Sequence, residues 1–131
     1  MIFRINSHDL PRTLHKLQFV VAKISIRMKT STKRIAQQIL EDSRNVPPTV
    51  PDKTGKLKAT GRVEGTAQGH AVMYGGDGVD YAEFVHDDMR PRKYTKPGSG
   101  PKFVETHALK REPDAANVMS ADLQDFLNEE F

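Results

Sequence analysis

Residues 81–105 of the chain read Tyr-Ala-Glu-Phe-Val-His-Asp-Asp-Met-Arg-Pro-Arg-Lys-Tyr-Thr-Lys-Pro-Gly-Ser-Gly-Pro-Lys-Phe-Val-Glu. The first six residues predict a β-strand, in which Tyr81, Glu83 and Val85 would face one side of a sheet. The last four residues, Lys-Phe-Val-Glu, predict the start of a helix. The fold is therefore expected to depend on the segment that joins this strand to this helix.

The joining segment, residues 89–102, has no regular periodicity. Three prolines and two glycines fall among residues 90–101, and proline removes a backbone donor and fixes φ where a strand needs both. The segment has five positive charges and no acid. These features predict a projecting loop that holds a partner, and we call it the basic loop. Its positive side chains are Arg90, Arg92, Lys93, Lys96 and Lys102, and Tyr94 lies among them.

A long helix is predicted at the N-terminal side, from about Asp9, as the N-cap, to about Asn45. Its apolar residues follow one another at alternating spacings of four and three, which is typical of a heptad seam. At a rise of 1.5 Å per residue, such a helix would be about 55 Å long. Hydroxyl side chains compete for backbone hydrogen bonds, so Thr30-Ser31-Thr32 predicts a bend or break in its middle. The seam residues are Leu10, Leu14, Leu17, Val21, Ile24, Met28 and Ile35.

A small antiparallel sheet is predicted after the helix. Residues 46–56 contain three prolines within five positions and form a linker, because proline precludes continuation of the helix. Leu57–Glu64 then predicts a strand, and Ala71–Tyr74 its antiparallel partner. The glycine-rich residues 75–78 form a turn into the strand at Tyr81. Residues 57–88 would thus be a three-stranded meander that needs the long helix to cover one face.

One or two helices are predicted in the C-terminal segment, residues 103–131. The first ends near Arg111, and the second begins after Pro113 with Asp114 as its cap. The second carries an apolar stripe and has acids but no base, so it complements the basic first helix within one subunit or between subunits. The stripe includes Leu123, Phe126 and Leu127. The predicted fold is a single α+β domain, residues 1–131, with three to four strands if Met1–Asn6 adds an edge.

Composition limits the classes of function. The 131 residues are 37% hydrophobic and lack tryptophan, which predicts a lean core that partner subunits would help to bury. The absence of cysteine excludes disulfides, thiolate zinc sites and cysteine nucleophiles. No run of eighteen apolar residues occurs, and the first residues lack the features of a signal peptide. We therefore expect a protein that is made and used in a cytoplasm.

Charge divides unevenly along the chain. Residues 1–60 carry 12 basic and 4 acidic side chains, whereas residues 61–131 carry 8 basic and 13 acidic ones. Such polarity suits head-to-tail contact between copies, or a basic face on DNA. Two solvated faces without a binding role are the plainer interpretation. The basic face of the first helix consists of Arg12, Lys16, Lys23, Arg27, Lys29, Lys33 and Arg34.

One group of side chains is a candidate for metal binding or hydrolysis. His86, Asp87, Asp88 and His107 could supply nitrogen and oxygen ligands to a divalent ion, but their spacing matches no metal signature, and a structural cluster is favoured. The turn at residues 75–78 lacks the Lys-Ser/Thr and the helix N-terminus of a phosphate-binding loop. We therefore assign no catalytic residue, no metal ligand and no cofactor.

Two segments together resemble a known family. Residues 51–60 read Pro-Asp-Lys-Thr-Gly-Lys-Leu-Lys-Ala-Thr, and they precede the stretch at 81–105. Their order is similar to that in minor-capsid, tail-completion and neck proteins of long-tailed bacteriophages. Those proteins typically have a long first helix, a Thr-Gly-x-Leu-x-x-Ser strand, a Tyr-Ala-x-Tyr/Phe-Val-His/Glu strand and a Lys-Phe-Leu-Glu helix. Here Lys53 interrupts an Asp-Thr-Gly sequence, and Val104 stands where leucine is common.

The resemblance implies a structural virion protein that does no chemistry. It would form a homo-oligomeric ring at the head–tail junction, dock on the connector or adaptor and on the tail tube, and touch DNA only non-specifically, with no membrane partner. It would be in the neck or tail of the virion, and in the host cytoplasm during assembly. The basic loop and the stripe at Leu123, Phe126 and Leu127 would supply subunit contacts. Two alternatives are a sequence-independent DNA-binding protein that uses the first helix and the loop, and a small metal-dependent hydrolase.

Overall fold

The computed structural model describes residues 10–67, 69–76 and 78–130, and for residues 10–17 it describes the backbone alone. The fold is α+β, in which two long helices pack together with a two-stranded antiparallel hairpin. The predicted edge strand at residues 1–6 and the predicted cap at Asp9 lie outside the described residues. The elements in chain order are α1 (Leu10–Asn45), α2 (Lys56–Ala59), β1 (Arg62–Gly65), β2 (His70–Met73), α3 (Ala82–Asp87) and α4 (Glu105–Glu130).

Helices α1 and α4 run antiparallel to each other. Three polar pairs join them in opposite chain order: Asp42 with Arg111, Ser31 with Asp122, and Lys23 with Glu130. The last described turn of α4 therefore lies beside Lys23. The residues of α1 that precede Lys23 extend past that turn by about 20 Å at a rise of 1.5 Å per residue.

Helix α1 is continuous over its 36 residues, so the predicted break at Thr30-Ser31-Thr32 is wrong. The Thr30 hydroxyl donates to the Ile26 carbonyl oxygen one turn earlier, at 3.2 Å. The Ser31 hydroxyl donates a hydrogen bond to Asp122 Oδ2 of α4. Both hydroxyl groups are thus satisfied without opening the helix.

The predicted seam of α1 can be followed from Val21 to Ile35, because the side chains of Leu10, Leu14 and Leu17 lie outside the described part of the chain, and within this range it is shifted at one position. Ile24, Met28 and Ile35 are half-buried, as the heptad pattern predicted. The prediction that Val21 belongs to the seam is wrong, because Val21 is 63% exposed and its neighbour Val20 is buried instead. An α-helix has 3.6 residues per turn, so a seam spaced at 3.5 drifts around the helix with each repeat.

The hairpin confirms only part of the predicted sheet. β1 pairs with β2 from Arg62 opposite Met73 to Gly65 opposite His70, which bears out the predicted partner strand at residues 71–74 to within a residue. The strand that was expected to begin at Leu57 begins later, because residues 56–59 form the helical turn α2. Leu57 is 3% exposed and points into the core.

The predicted third strand is wrong, because residues 82–87 form the helix α3. Ala82 is buried and Val85 packs against the core, whereas Phe84 is 58% exposed. Strand alternation would have placed Ala82 and Phe84 on the same face, while a helix places residues three and four apart together. Six residues are too few to separate the two periods. Among the described residues the sheet therefore has two strands, and the meander is not formed.

The C-terminal segment is one helix, not two. α4 continues through Pro113, although proline lacks the N–H that would bond to the carbonyl one turn before it. Arg111 on one side of the proline and Asp122 on the other both bind α1. These contacts hold both halves of α4 on the same partner, so the predicted cap at Asp114 is not a helix start.

The hydrophobic core lies where the linker, α2, α3 and the start of α4 meet. Phe103 is 1% exposed, and its ring packs edge to face against the Tyr74 ring, with the two ring centroids 5.3 Å apart. The Tyr74 hydroxyl lies 2.6 Å from the Ser43 hydroxyl and so ties this cluster to α1. Both ends of the basic loop are therefore rooted at one core. The buried residues of this core are Val50, Leu57, Val79, Ala82 and Phe103.

Candidate functional site

The second half of the basic loop lies along the linker. The Thr49 N–H donates to the Gly98 carbonyl oxygen at 2.9 Å, and the Gly100 N–H donates to the Thr49 carbonyl oxygen at 3.2 Å. Lys96 Nζ lies 3.3 Å from Asp52 Oδ2. The loop has no helix or regular strand, as its prolines and glycines predicted, but this half is docked on the chain and does not project freely.

The first half of the basic loop is organised by one carboxylate. Arg90 donates to both Asp88 oxygens, from Nε at 2.8 Å and from Nη2 at 3.0 Å, and Arg92 also binds Asp88. These hydrogen bonds, chiefly that from Arg90, lower the pKa of Asp88 to about 2. The Arg90 guanidinium also lies over the exposed Phe84 ring, 5.8 Å from its centroid. Two of the five predicted cations are thus fixed at the exit of α3.

Lys102 and His86 form the joint between the loop and α4. Lys102 has a left-handed backbone, φ 55°, and its Nζ contacts Asp87 at 2.8 Å and Glu105 at 3.3 Å. His86 Nε2 accepts the Glu105 N–H at 3.3 Å, so Nδ1 carries the proton and donates to Asp87 at 2.8 Å. Hydrogen bonds from Lys102 and His86 lower the pKa of Asp87. His86 therefore caps the first turn of α4.

The residues predicted as a candidate metal cluster have separate structural partners. His107 is 2% exposed and lies with Nε2 3.0 Å from the Pro48 carbonyl oxygen, beside the cis Pro47–Pro48 bond. Asp88 binds Arg90 and Arg92, and His86 binds Asp87 and the Glu105 N–H. Within the parts of the chain that the structure describes, no group of three or more metal-ligating side chains could hold an ion.

A cavity opens between the linker, α3 and the basic loop, with a volume of about 370 Å³. Both tyrosine side chains of this region, half-exposed Tyr81 and half-buried Tyr94, line it. Within the described ranges, Lys53 and Lys93 on its wall form no ion pair. We call it the basic cavity. Its polar lining is Asp52, Lys53, Thr54, Tyr81, Arg92, Lys93, Tyr94 and Thr95.

Asp52 supports the wall of the basic cavity. It is 8% exposed, and one of its carboxylate oxygens is held by Lys96. The other oxygen, Oδ1, is buried and has no hydrogen-bond partner among the described protein atoms. The ion pair fastens the loop to the linker and so keeps the two sides of the cavity together.

The predicted contact residues of the C-terminal helix differ in how far they are buried. Phe126 is 4% exposed, and Leu123 and Leu127 are half-buried. Ion pairs flank them, Lys23 with Glu130 at 3.0 Å and Arg27 with Glu129 at 3.2 Å. This part of the acidic segment therefore complements α1 within the chain, and Phe126 packs beside Lys23, Ile26 and Arg27 of α1. A contact of Leu123 and Leu127 with another subunit stays a prediction.

Sequence reasoning found the loop but missed its counterpart. Lys53 belongs to the predicted linker and Tyr81 to a predicted strand, and no spacing rule places them opposite residues 92–95. The only signal was indirect, since Pro51 and the prolines of the loop predicted two irregular segments that a compact chain must pack somewhere.

Comparison with models of protein families, with curated proteins and with solved structures finds no match for the chain. Within the described ranges, no helix is both long and apolar enough to cross a membrane. Function must therefore be argued from the geometry of the basic loop, its cavity and the helices that carry them.

Proposed function

We propose that the chain is a structural virion protein of a long-tailed bacteriophage, a tail-completion or neck component. Copies of it form a ring at the head–tail interface and join the connector or adaptor to the tail tube. The proposal starts from the resemblance of residues 51–60 and 81–105. Leu57, Ala82 and Phe103 of those segments pack into one core, so the motif residues serve to build a scaffold.

The observation that carries the proposal is the basic loop itself. It is fixed at both ends to the core and along its second half to the linker, yet most of its side chains are exposed. Lys93 forms no ion pair within the described ranges, and Tyr94 lines a cavity beside it. A loop that is ordered, charged and outward-facing is suited to hold another protein.

No enzymatic step is part of the proposal. The two histidines nearest the loop are committed to backbone groups, His86 to the first turn of α4 and His107 to the Pro48 carbonyl oxygen. Partners are other copies of the chain, the connector or adaptor, and the tail tube. The place of action is the neck or tail of the virion, with assembly in the host cytoplasm.

Mass measurement across protein concentration tests the proposal. We expect the purified chain to pass from monomer to a discrete oligomer as concentration rises, and to reach it at lower concentration when tail-tube protein of the same phage is present. A chain that stays monomeric at all concentrations, with and without that partner, contradicts the proposed function.

A second function, sequence-independent DNA binding, is favoured by the middle of α1. Lys29, Lys33 and Arg34 are exposed, and they form no ion pair with any described residue. A row of such cations binds duplex DNA with an affinity that falls steeply as salt rises. Retardation of duplex DNA at low salt by the wild-type chain, and its loss in a Lys29→Glu/Lys33→Glu variant, would support this function. An unshifted duplex at low salt removes it.

A further inference from the structure

The outer edge of β2 has no strand beside it within the described ranges. At the hairpin turn, the Thr66 N–H donates to the Gly69 carbonyl oxygen at 2.8 Å. Hydrogen-bonded pairs alternate along an antiparallel ladder, so His70 and Val72 direct their N–H and C=O groups away from β1. These four groups have no hydrogen-bond partner among the described residues. The edge is therefore a template to which a further strand can add.

A mostly apolar groove of about 370 Å³ lies beside this edge, between β2, α1 and α4, and we call it the β2 groove. Val63 faces Val72 across the hairpin but does not line the groove, so the groove is on the side of β2 away from β1. A smaller cavity of about 230 Å³ shares Val72 and Val104 with it and extends it towards Tyr74. The α1 and α4 side chains that line the β2 groove include Ile35, Ala36, Ile39, Ala108, Ala115 and Met119.

The groove and the edge together fit an extended segment with one apolar face. Such a segment bonds to the strand edge through its backbone and places every second side chain in the groove. The first six residues of the sequence have this pattern. Met1, Phe3 and Ile5 would share one face of a strand, while Arg4 and Asn6 would lie on the other.

These six residues cannot reach the β2 groove of their own copy. The groove begins at Thr32, and Leu10 lies about 33 Å from Thr32 along α1, at a rise of 1.5 Å per residue. The chain between Asn6 and Leu10 spans at most about 14 Å when fully extended. The start of α1 also extends beyond the last described turn of α4. The segment is therefore suited to fill the groove of a second copy.

We propose that residues 1–6 of one copy add to the free edge of β2 in a second copy, with Met1, Phe3 and Ile5 in the β2 groove. The added strand turns the two-stranded hairpin into a three-stranded sheet, which is the more stable arrangement. The inference rests on the proposed function and names a contact between neighbouring copies of the ring. Each copy gives one segment and receives another, and contacts of this head-to-tail type close into a ring when the rotation between copies permits.

Substitutions on the two faces of the segment test this contact. Phe3→Asp/Ile5→Asp places two carboxylates in the groove and should weaken self-association by at least about tenfold, because an unpaired charge is costly to bury. Ile2→Asp/Asn6→Asp makes the same change in net charge on the opposite face of the strand. It is the matched control and should assemble as the wild type does. Sedimentation of the full chain across concentration measures both variants.

Ala108→Phe tests the other side of the contact, because the larger ring occupies the groove and leaves the segment unchanged. We mix it with Phe3→Asp/Ile5→Asp at a concentration at which neither variant associates alone. The mixture should form a complex of two copies and nothing larger, since one intact segment and one open groove remain in each pair. In wild-type oligomers, the amides of His70 and Val72 should exchange more slowly than in the monomeric variants.

The outcomes separate this contact from the proposed function. A wild type that never assembles overturns both. A wild type that assembles, together with Phe3→Asp/Ile5→Asp and Ala108→Phe variants that assemble equally well, overturns the contact and leaves the function standing. Weakening by Ala108→Phe alone assigns the groove to another occupant, and equal weakening by Ile2→Asp/Asn6→Asp excludes a strand with one buried face; either result overturns the contact. Circular dichroism verifies that each variant is folded, and the two segment variants decide the contact if Ala108→Phe does not fold.

Discussion

At the scale of single residues, the site depends on carboxylates that hold cations in place. Asp88 gathers Arg90 and Arg92, Asp87 holds Lys102, and Asp52 holds Lys96. Four of the five cations of the basic loop are therefore fixed by an ion pair within the chain. The cation of each pair is at least one third exposed, and partly exposed pairs contribute only modestly to overall stability. We therefore assign these pairs the role of setting the conformation of the loop.

The arginine pair on Asp88 should survive mild acid. The pKa of Asp88 is lowered from 3.8 to about 2. A carboxylate with a lowered pKa stabilises the folded loop fully at pH values above its ordinary pKa. That contribution is lost as pH falls from about 4 towards 2. The Arg90 N–H donates to Asp88 Oδ1 at 3.2 Å, so protection of this amide, measured against its intrinsic exchange rate, should persist at pH 4 and be lost below pH 3.

Asp88→Asn is the control for this pH dependence, because it keeps the shape of the side chain and removes its charge. Exchange in the variant should be fast at neutral pH and nearly independent of pH once intrinsic rates are taken into account. Equal protection in wild type and variant at pH 7 would show that Asp88 does not organise the loop.

Phe103 and Phe84 should differ sharply in what they contribute to stability. Phe103 is 1% exposed at the core, whereas Phe84 on α3 is 58% exposed. We expect Phe103→Ala to lower the free energy of unfolding by about 3–5 kcal/mol, and Phe84→Ala to lower it by less than about 1 kcal/mol. Chemical denaturation measures both. A large loss in Phe84→Ala would restore the strand interpretation, in which Phe84 shares a face with buried Ala82.

At the scale of elements, hydrophobic patterns sustained over many residues predicted the secondary structure correctly, whereas a pattern of only six residues did not. The four-and-three spacing over residues 10–35 is sustained for many turns, and the predicted helix end near Asn45 agrees with the observed end of α1. Residues 81–86 offer only six positions, and tertiary packing of Ala82 and Val85 on the core decides their conformation. The cavity was beyond sequence reasoning, since it arises where two irregular segments meet.

Pro113 is where the element-scale description is most open to test. In a continuous helix it forfeits a backbone hydrogen bond, so Pro113→Ala should raise the free energy of unfolding by about 1–3 kcal/mol. If instead α4 were two helices with Asp114 as a cap, the proline would sit at a permitted boundary. Unfolding by denaturant would then show no gain, or a loss.

At the scale of the whole molecule, some charged side chains form ion pairs within the chain, and others are exposed without an ion pair among the described residues. The acidic end of α4 is used within the chain, where it pairs with Lys23 and Arg27, and Phe126 is buried beside those residues. The acids in the middle of α4 and the lysines of the basic cavity have no such use. The charge asymmetry of the sequence predicted complementary surfaces, but only packing could show which acids are free.

A chain without cysteine allows the contact made by the basic loop to be probed with one introduced thiol. Thr95 lies in the loop and lines the basic cavity, whereas Thr66 is exposed in the turn between β1 and β2 and serves as the control position. With a photoactivated cross-linker on the thiol, Thr95→Cys should give a ladder of covalent oligomers that stops at one size, while Thr66→Cys stays monomeric. A Thr95→Cys variant that remains monomeric, or equal cross-linking from both positions, would contradict assembly through the basic loop.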